Sequence, residues 1–240
     1  MPSILTHLNF IDEEHKSNAN LKKLDLGLMK LGSIFPDIDY YVPKRKIKML
    51  HFMHHNYQLG IDFSKELLNN AKTKEEVSFA IGFLSHFIID KEVHLYLETE
   101  TNPQEHLLIE FFIDSRYAFE KYPTGKFPKD LFRRTIITKH KNYIKDLKKI
   151  NWIHLQAYKI IFYMYKSLII SRFIKTRTKW YHKLLAILPG NQKESGIKIK
   201  HALKGRLDKE KVKIVEDEIN ISKLIFDKEI NTYFKRKPNK

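Results

Sequence analysis

The stretch GFLSHFIIDKEVH at residues 82–94 decides the fold and carries three candidate metal ligands on one helix. Spacings of four residues place His86, Asp90 and His94 on one helical face, one turn apart. The residues between them are mostly apolar, so this polar stripe is not the solvated side of an amphipathic helix. Buried imidazole and carboxylate groups cost free energy unless they are satisfied, and a metal ion accepts their lone pairs directly. The stretch therefore predicts a buried metal-binding helix.

A second pair of candidate ligands follows in HLLIEFFID at residues 106–114. His106 and Glu110 are again four residues apart among apolar neighbours, as expected on a second buried helix. An alternative is that some of these side chains are hydrogen-bonded core residues, because the chain has 12 His and such spacings also arise by chance. Two series in succession favour metal binding, and a mixture of His and carboxylate ligands suits zinc.

Composition limits the class of protein and its organisation. A chain of 240 residues that is 42% hydrophobic can bury a substantial core. We expect a helical domain over residues 1–187 and a basic linker with a helix or tail over 188–240, divided at LPGNQKESG. The chain has no Cys, which excludes disulfides and thiolate ligands. Zinc must therefore bind His, Asp, Glu or backbone groups.

Neither a secretion signal nor a transmembrane segment is indicated. The amino-terminal residues lack a basic region followed by an apolar run, so a cytoplasmic location is expected. The longest apolar stretch, residues 158–174, is interrupted by Lys and Arg side chains and is too short to span a bilayer.

The charge distribution is uneven. The formal net charge is +16 at pH 7, and the excess of Lys and Arg lies after residue 120. Such a basic segment favours a polyanionic partner, either an anionic membrane surface or nucleic acid. Alternating aromatic and basic residues at 175–183 suit peripheral contact with an anionic membrane, although a helix that packs Trp180 inward fits at least as well. A solvated Lys-rich surface without any partner is the other interpretation.

Long stretches of helical periodicity predict an all-α protein, a multi-helix bundle. Only 8 Gly and 8 Pro occur, and alternating strand patterns bounded by Gly are absent. TKEE at residues 73–76 is typical of a capping box that opens the ligand helix. We predict helices near residues 19–31, 57–71, 74–97, 103–119, 129–147, 151–175, 178–187 and 207–233.

Further candidate ligands lie outside these helices. Asp37 follows Pro36 in a turn after a helix predicted to end near Gly32, where its carboxylate can be aimed inward. Three His lie within residues 51–55, and His7 lies near the amino terminus.

These motifs together resemble the zinc-dependent phospholipase C family, whose fold is shared with the fungal single-strand-specific nucleases. The resemblance covers roughly the first 115 residues, in the order of the family's motifs. The series of His86, Asp90 and His94 followed by His106 and Glu110 is specific, and the other pieces are individually weak. The matching pieces are THLNF at 6–10, LGSIFPDIDYY at 31–41, FMHH at 52–55, GFLSHFIIDKEVH at 82–94 and HLLIEFFID at 106–114.

The resemblance implies a helical bundle that holds three zinc ions in a cleft, and it assigns their ligands. The first ion takes Asp37, His54, His86 and Asp90. His51 and His55 remain open as alternatives to His54. Asp90 then bridges to a second ion bound by His7 and by the amino-terminal amine and carbonyl of the chain. The third ion takes His94, His106 and Glu110.

The amino terminus departs from the family pattern. Secreted members begin, after signal cleavage, with a Trp whose free amine binds zinc, and this chain has no Trp there. Our hypothesis is that removal of Met1 exposes the Pro2 amine, five residues before His7, for the same role. If Met1 is retained, the expectation becomes a centre with two ions or with a weakly occupied third site.

The expected activity is hydrolysis of phosphoester bonds, most like that of a phospholipase C acting on lipid head groups at a membrane surface. Metal ions lower the pKa of water and neutralise the charge of a phosphodiester. Asp37 and Asp90 are the expected catalytic carboxylates, and Asp37 could also orient the water as a base. Asp114 is expected either to hydrogen-bond a ligand His or to be an ordinary surface carboxylate.

Two other functions compete with this one. A nuclease or nucleotidase would use the same metals, with the basic half of the chain binding phosphates. A membrane-binding or nucleic-acid-binding protein without catalytic activity would use the metals only to stabilise the bundle. Other helical metal enzymes fit less well, since the chain has no adjacent His-Asp pair and no Glu-x-x-His repeats. Nucleophilic Cys or Ser chemistry has no support, because Cys and a G-x-S-x-G turn are both absent.

Overall fold

The computed structural model describes residues 4–37, 52–121 and 207–237. Helices dominate these ranges and no strand occurs within them, which confirms the prediction of an all-α fold. The helices are α1 (Ile4–Ser17), α2 (Leu26–Ile34), α3 (Tyr57–Asn70), α4 (Lys74–Glu100), α5 (Pro103–Lys121) and α6 (Lys209–Arg236). A 3₁₀ helix at Leu21–Lys23 lies between α1 and α2. The helices predicted near 129–147, 151–175 and 178–187 lie outside the described residues.

The amino-terminal helices differ from the prediction. Helix α1 was not expected, and the single helix predicted over 19–31 is instead a 3₁₀ helix followed by α2. The break arises at Leu24, which is extended with ψ at 169°, and Asp25 then caps α2 by accepting a hydrogen bond from the Leu28 amide at 3.0 Å. A side-chain oxygen at this position satisfies an amide that the first helical turn leaves without a partner.

Helix α4 is the central element of the fold. Every residue from Val77 to Asp90 is buried, so its polar stripe faces protein, as the sequence indicated. The predicted capping box is confirmed: Thr73 Oγ1 accepts from the Glu76 amide at 3.2 Å, and Glu76 accepts from the Thr73 amide at 2.8 Å. This cap determines where α4 begins.

Helices α2 and α4 pack backbone to backbone through a pair of glycines. A Cβ atom on Gly82 would overlap the carbonyl group of Met29, and one on Gly32 would overlap the carbonyl oxygen of Phe79. Only two residues without side chains permit this separation of the helix axes. The close approach matters for the site because it brings the backbone of Ser33 next to His86.

The carboxy-terminal helix belongs to the same core. Phe226 and Ile230 of α6 are fully buried, and the ring of Phe226 meets Phe10 of α1 edge-on at 5.4 Å. Ion pairs add contacts, among them Lys211 with Glu105 at 2.9 Å and Lys223 with Glu13 at 2.7 Å. The predicted domain boundary near residue 187 lies outside the described residues and stays a prediction. Among the described helices, none combines the length and apolar character needed to cross a bilayer.

A carboxyl pair joins α1 to α6. Glu14 is 3% exposed and faces Asp227, which also accepts a hydrogen bond from the side-chain amide of Asn18 at 2.9 Å. Burial and the neighbouring Asp227 charge together raise the pKa of Glu14 to about 7, against the opposing effect of Lys223. The folded protein therefore holds a proton on Glu14 that the unfolded chain releases at its ordinary pKa of 4.5.

This carboxyl pair predicts a stability that depends on pH. Because the folded state binds more protons between pH 4.5 and about 7, stability should fall as the pH rises through this range. The substitution Glu14→Gln removes the titration, so its Tm should exceed that of the parent by roughly 2–4 °C at pH 8, the shift expected for about 1 kcal/mol, and match it near pH 4. Thermal melts at both pH values test this, with the exposed Glu66→Gln as the control. Equal Tm differences at both pH values would show that Glu14 does not titrate in this range.

Candidate metal centre

Three groups of His and carboxylate side chains lie along helix α4, which contributes to each of them. The other members come from α1, from α5 and from the residues that follow α2 and precede α3. Within each group, one ligand atom from each residue lies within 4.8 Å of the others. We number them as site 1 (His7, His86 and Asp90), site 2 (Asp37, His54 and His86) and site 3 (His94, His106 and Glu110). All eight residues named as candidate ligands from the sequence are therefore brought together. Seven of them are buried, and the His106 side chain is 18% exposed.

Site 1 joins α1 to α4 through Asp90. One oxygen of Asp90, Oδ1, lies 3.2 Å from His7 Nε2, and the other, Oδ2, lies 3.1 Å from His86 Nε2. The His7 and His86 rings stack with their centroids 4.3 Å apart. Burial by itself raises the pKa of Asp90, but the neighbouring His86 and His7 outweigh burial and hold the pKa well below its ordinary value. Asp90 is therefore a charged carboxylate in the interior, held between two imidazoles.

A hydrogen bond to the backbone determines the tautomer of His86. His86 Nδ1 lies 2.8 Å from the carbonyl oxygen of Ser33, which can only accept a hydrogen bond, so Nδ1 carries the proton. The other ring nitrogen, Nε2, then presents a lone pair to the centre. A backbone carbonyl that fixes the tautomer in this way is the usual support for a histidine metal ligand.

Site 2 is built around the same His86 nitrogen. His54 Nε2 lies 3.1 Å from His86 Nε2, and Asp37 Oδ1 lies 3.8 Å and 3.9 Å from these two atoms. Because one nitrogen lone pair can bind only one ion, sites 1 and 2 cannot both use His86. Asp90 has two oxygens and can serve both sites. Of the three His at 51–55, His54 is buried at the site whereas His55 is exposed, which favours His54 over His55 as the candidate ligand. His51 lies outside the described residues.

Site 3 lies between α4 and α5. Glu110 Oε1 lies 3.1 Å from His106 Nε2 and 3.6 Å from His94 Nε2. Burial lowers the pKa of His94 to about 4, so its imidazole is neutral at physiological pH, as a metal ligand must be. Burial by itself raises the pKa of Glu110, but the surrounding positive charge, including that of His106, lowers it to about 2. His94 Nε2 also lies 3.8 Å from Asp90 Oδ1, which links site 3 to site 1.

The donor atoms of this centre fit zinc. Neither oxygen of Asp90 has a donor with hydrogen-bonding geometry among the described residues, although both lie within 3.2 Å of an imidazole nitrogen. A buried carboxylate that faces ring nitrogens without forming proper hydrogen bonds carries a large free-energy cost unless a cation lies between them. Imidazole nitrogen and carboxylate oxygen are both ligands that zinc prefers in proteins.

Asp114 was expected either to hydrogen-bond a ligand His or to lie on the surface, and the structure places it elsewhere. It is fully buried rather than a surface carboxylate, and it accepts hydrogen bonds from the Leu5 amide at 3.2 Å and from the Thr6 amide at 2.9 Å. The Thr6 hydroxyl donates to it as well, at 3.0 Å. A carboxylate at a helix N-terminus satisfies free amides and interacts favourably with the helix dipole. Asp114 of α5 therefore positions the first turn of α1, which carries His7.

Two groups that support the ligand histidines were not predicted from the sequence. The Ser33 carbonyl is a backbone atom, so no residue type in the sequence marks its role. Tyr57, at the first position of α3, stacks on His94 with centroids 6.0 Å apart and donates a hydrogen bond to Glu98 at 3.1 Å. Tyr57 follows the His cluster at 51–55, and this position could have marked it as a neighbour of the site. Nothing in the local sequence pairs residue 57 with residue 94.

These observations describe a helical protein with three adjacent groups of His and carboxylate side chains that could hold metal ions. The family profile described as zinc dependent phospholipase C matches residues 4–169, which is more than half of the chain and includes all three sites. The chain belongs to this family, as the resemblance indicated. No curated protein and no solved structure gives a significant match.

Proposed function

We propose that this protein is a zinc-dependent phosphoester hydrolase that cleaves the head-group phosphodiester of phospholipids. Family membership supports the metal and the class of reaction. The observation that carries the proposal is the position of Asp90, whose two oxygens face imidazoles of neighbouring sites at 3.1 and 3.2 Å. Adjacent metal sites joined by one carboxylate suit a phosphodiester, because its attacking and leaving oxygens both need neutralisation of charge.

The residues then have separate roles. Asp37, His54 and His86 would hold one ion, His7 would hold a second with Asp90 shared between the two, and His94, His106 and Glu110 would hold a third. Zinc in this centre would activate water and neutralise the charge of the phosphodiester. The Ser33 carbonyl and Tyr57 keep His86 and His94 in place. We assign to Asp37 the further role of orienting the attacking water, since its carboxylate is buried beside two of the ligand imidazoles.

Three of the predictions made from the sequence remain predictions. The ligation of zinc by the Pro2 amine and the membrane contact at 175–183 concern residues outside the described ranges. The cytoplasmic location has no structural test.

Activity measurements on the purified protein test the proposal. We expect zinc in protein purified without added metal, measured by plasma mass spectrometry, and release of phosphocholine from a short-chain phosphatidylcholine. Chelation should abolish turnover and zinc should restore it. The substitution Asp37→Asn should abolish turnover, with Asp62→Asn, an exposed carboxylate on α3, as the matched control.

The alternatives give different results in the same assays. Turnover of single-stranded DNA without turnover of lipid would replace the proposal by a nuclease. Zinc binding without turnover of any phosphodiester would favour a protein in which the metals only stabilise the bundle. Near-zero zinc content would contradict the central claim.

A further inference from the structure

We infer that Asp114 makes zinc binding at site 1 depend on zinc binding at site 3, because it joins the helices that carry the two sites. The inference rests on the zinc centre of the proposed function and adds how that centre is loaded, whichever phosphodiester is cleaved. The residues of sites 1 and 3 come from three helices, α1, α4 and α5. The connections between these helices therefore decide whether the two sites can fill independently.

Asp114 holds the first turn of α1 through both of its carboxylate oxygens. Oδ2 accepts a hydrogen bond from the Leu5 amide at 3.2 Å, and Oδ1 accepts from the Thr6 amide at 2.9 Å and from the Thr6 hydroxyl at 3.0 Å. The side chain is fully buried, so water does not compete for these donors. The next residue of α1 is His7, and its position is therefore set by a contact with α5.

The same carboxylate moves with the ligands of site 3. His106, Glu110 and Asp114 follow one another at intervals of four residues on α5, so they lie one turn apart on one helical face. The hydrogen bonds within the helix keep these two turns rigid, so a shift of the site 3 ligands also shifts Asp114. Site 3 also includes His94 of α4, so an ion there fixes α5 against α4.

These contacts close a ring of three helices. Site 1 connects α1 to α4, site 3 connects α4 to α5, and Asp114 connects α5 back to α1. An ion at site 3 places α5, Asp114 then places α1, and His7 Nε2 is held at 3.2 Å from Asp90 Oδ1 before an ion reaches site 1. A ligand that meets an already ordered site binds more tightly, because less conformational entropy remains to be lost.

The direct interaction between the ions has the opposite sign. Sites 1 and 3 are adjacent, since His94 Nε2 lies 3.8 Å from Asp90 Oδ1. Two cations in adjacent sites repel each other, so charge alone would make each ion weaken the binding of the other. An ion at site 3 that strengthens binding at site 1 would therefore report the connection through Asp114 rather than the charges.

A double-mutant cycle in zinc affinity tests this inference. The zinc-loaded protein is titrated with a chromophoric chelator that removes the ions stepwise, and the step that His7→Ala abolishes identifies site 1. In the parent, His106→Ala should weaken the site 1 ion by about tenfold, within the usual range for coupled sites. In the D114N background, His106→Ala should weaken it by less than about twofold, because the Asn NH₂ group faces backbone donors and cannot hold α1.

A milder variant and a matched control make the result specific. Thr6→Val removes only the hydroxyl donor to Asp114, so it should reduce the coupling in part, and it serves as the test if D114N does not fold. Thr99→Val makes the same change at an exposed position of α4 and should keep the full coupling.

The possible outcomes separate this inference from the proposed function. If Asp114 only stabilises the fold, D114N lowers Tm and zinc affinity but leaves the effect of His106→Ala unchanged. An equal effect of His106→Ala in the parent, D114N and Thr6→Val backgrounds would therefore overturn the inference. Coupled zinc binding without hydrolysis of any phosphodiester would support the inference and contradict the proposed function. Hydrolysis with uncoupled zinc binding would support the proposed function alone.

Discussion

Replacing Asp90 with Asn (D90N) is expected to lower phosphodiester hydrolysis by about 10³-fold or more, because it removes the carboxylate that we propose as the link between the metal sites. Metal ions supply several kcal/mol of charge stabilisation in such transition states, and each 1.4 kcal/mol is about a factor of ten in rate. Asn keeps one acceptor oxygen and replaces the other with an NH₂ group that cannot bind zinc. The variant therefore loses either the oxygen that faces His86 or the oxygen that faces His7.

The same variant should change how zinc affects stability. Zinc at a thousand times its Kd stabilises a folded protein by about 4 kcal/mol, which corresponds to a rise in Tm of roughly 10 °C for a chain of this size. D90N should lose most of this rise and show a zinc content lower by at least one ion per chain. In chelator its Tm should lie much closer to that of the parent, because the neutral amide removes a buried charge that no metal then compensates.

The exposed Asp62→Asn is the matched control, since it makes the same chemical change on the surface of α3. It should keep full activity and the full response to zinc. If D90N also keeps them, Asp90 does not link the sites, and the assignment of the centre is wrong.

Replacing Gly82 with Ala (G82A) is expected to destabilise the protein by about 3 kcal/mol, the upper range for overpacking, and to lower Tm by roughly 6–12 °C. The added Cβ would overlap the Met29 carbonyl group, a backbone group of α2 that cannot rotate away. The higher helix propensity of Ala offsets only about 1 kcal/mol of this cost. The two helices must therefore separate.

This separation should also reach the metal centre. Ser33 follows Gly32 in α2, and its carbonyl oxygen accepts the His86 Nδ1 hydrogen bond at 2.8 Å. When α2 moves away, the tautomer and orientation of His86 lose their support, and zinc affinity should fall by about 10- to 100-fold. Thermal melts and competition titration with a zinc chelator measure the two effects.

Two further variants give this prediction its controls. Gly32→Ala places a Cβ at the same contact from the α2 side and should reproduce both effects. Leu95→Ala, at a side chain that is 60% exposed on α4, should change Tm little. A G82A protein with the parent's Tm and zinc affinity would show that α2 and α4 do not approach each other as closely as described.

The metal-binding helix was predictable because its signal is local. Residues four apart lie on one helical face whatever surrounds the helix, so His86, Asp90 and His94 form a stripe in any fold that keeps α4. Its capping box is local as well, since Thr73 and Glu76 contact each other across a single turn. The absence of Cys is a property of composition alone, and it limits the metal ligands to nitrogen and oxygen atoms.

Helix α1 was missed for a physical reason. Sequence periodicity detects a helix with one apolar and one polar face. In α1 the polar residues Thr6 and His7 are buried together with its apolar ones, because they face the carboxylates of Asp114 and Asp90. A periodic pattern separates apolar from polar residues, so it does not reveal polar residues that are buried because they serve a site.

The sequence by itself determined the all-helical class, the ligand types and the residues able to bind metal, since these depend on residue chemistry and on spacing within single helices. Only the tertiary structure decided that Asp90 lies between His7 and His86, that Asp114 caps α1, and that α6 packs against α1. These contacts join residues far apart in the chain. They depend on how helices pack, including the glycine contact between α2 and α4, and no local pattern encodes that packing.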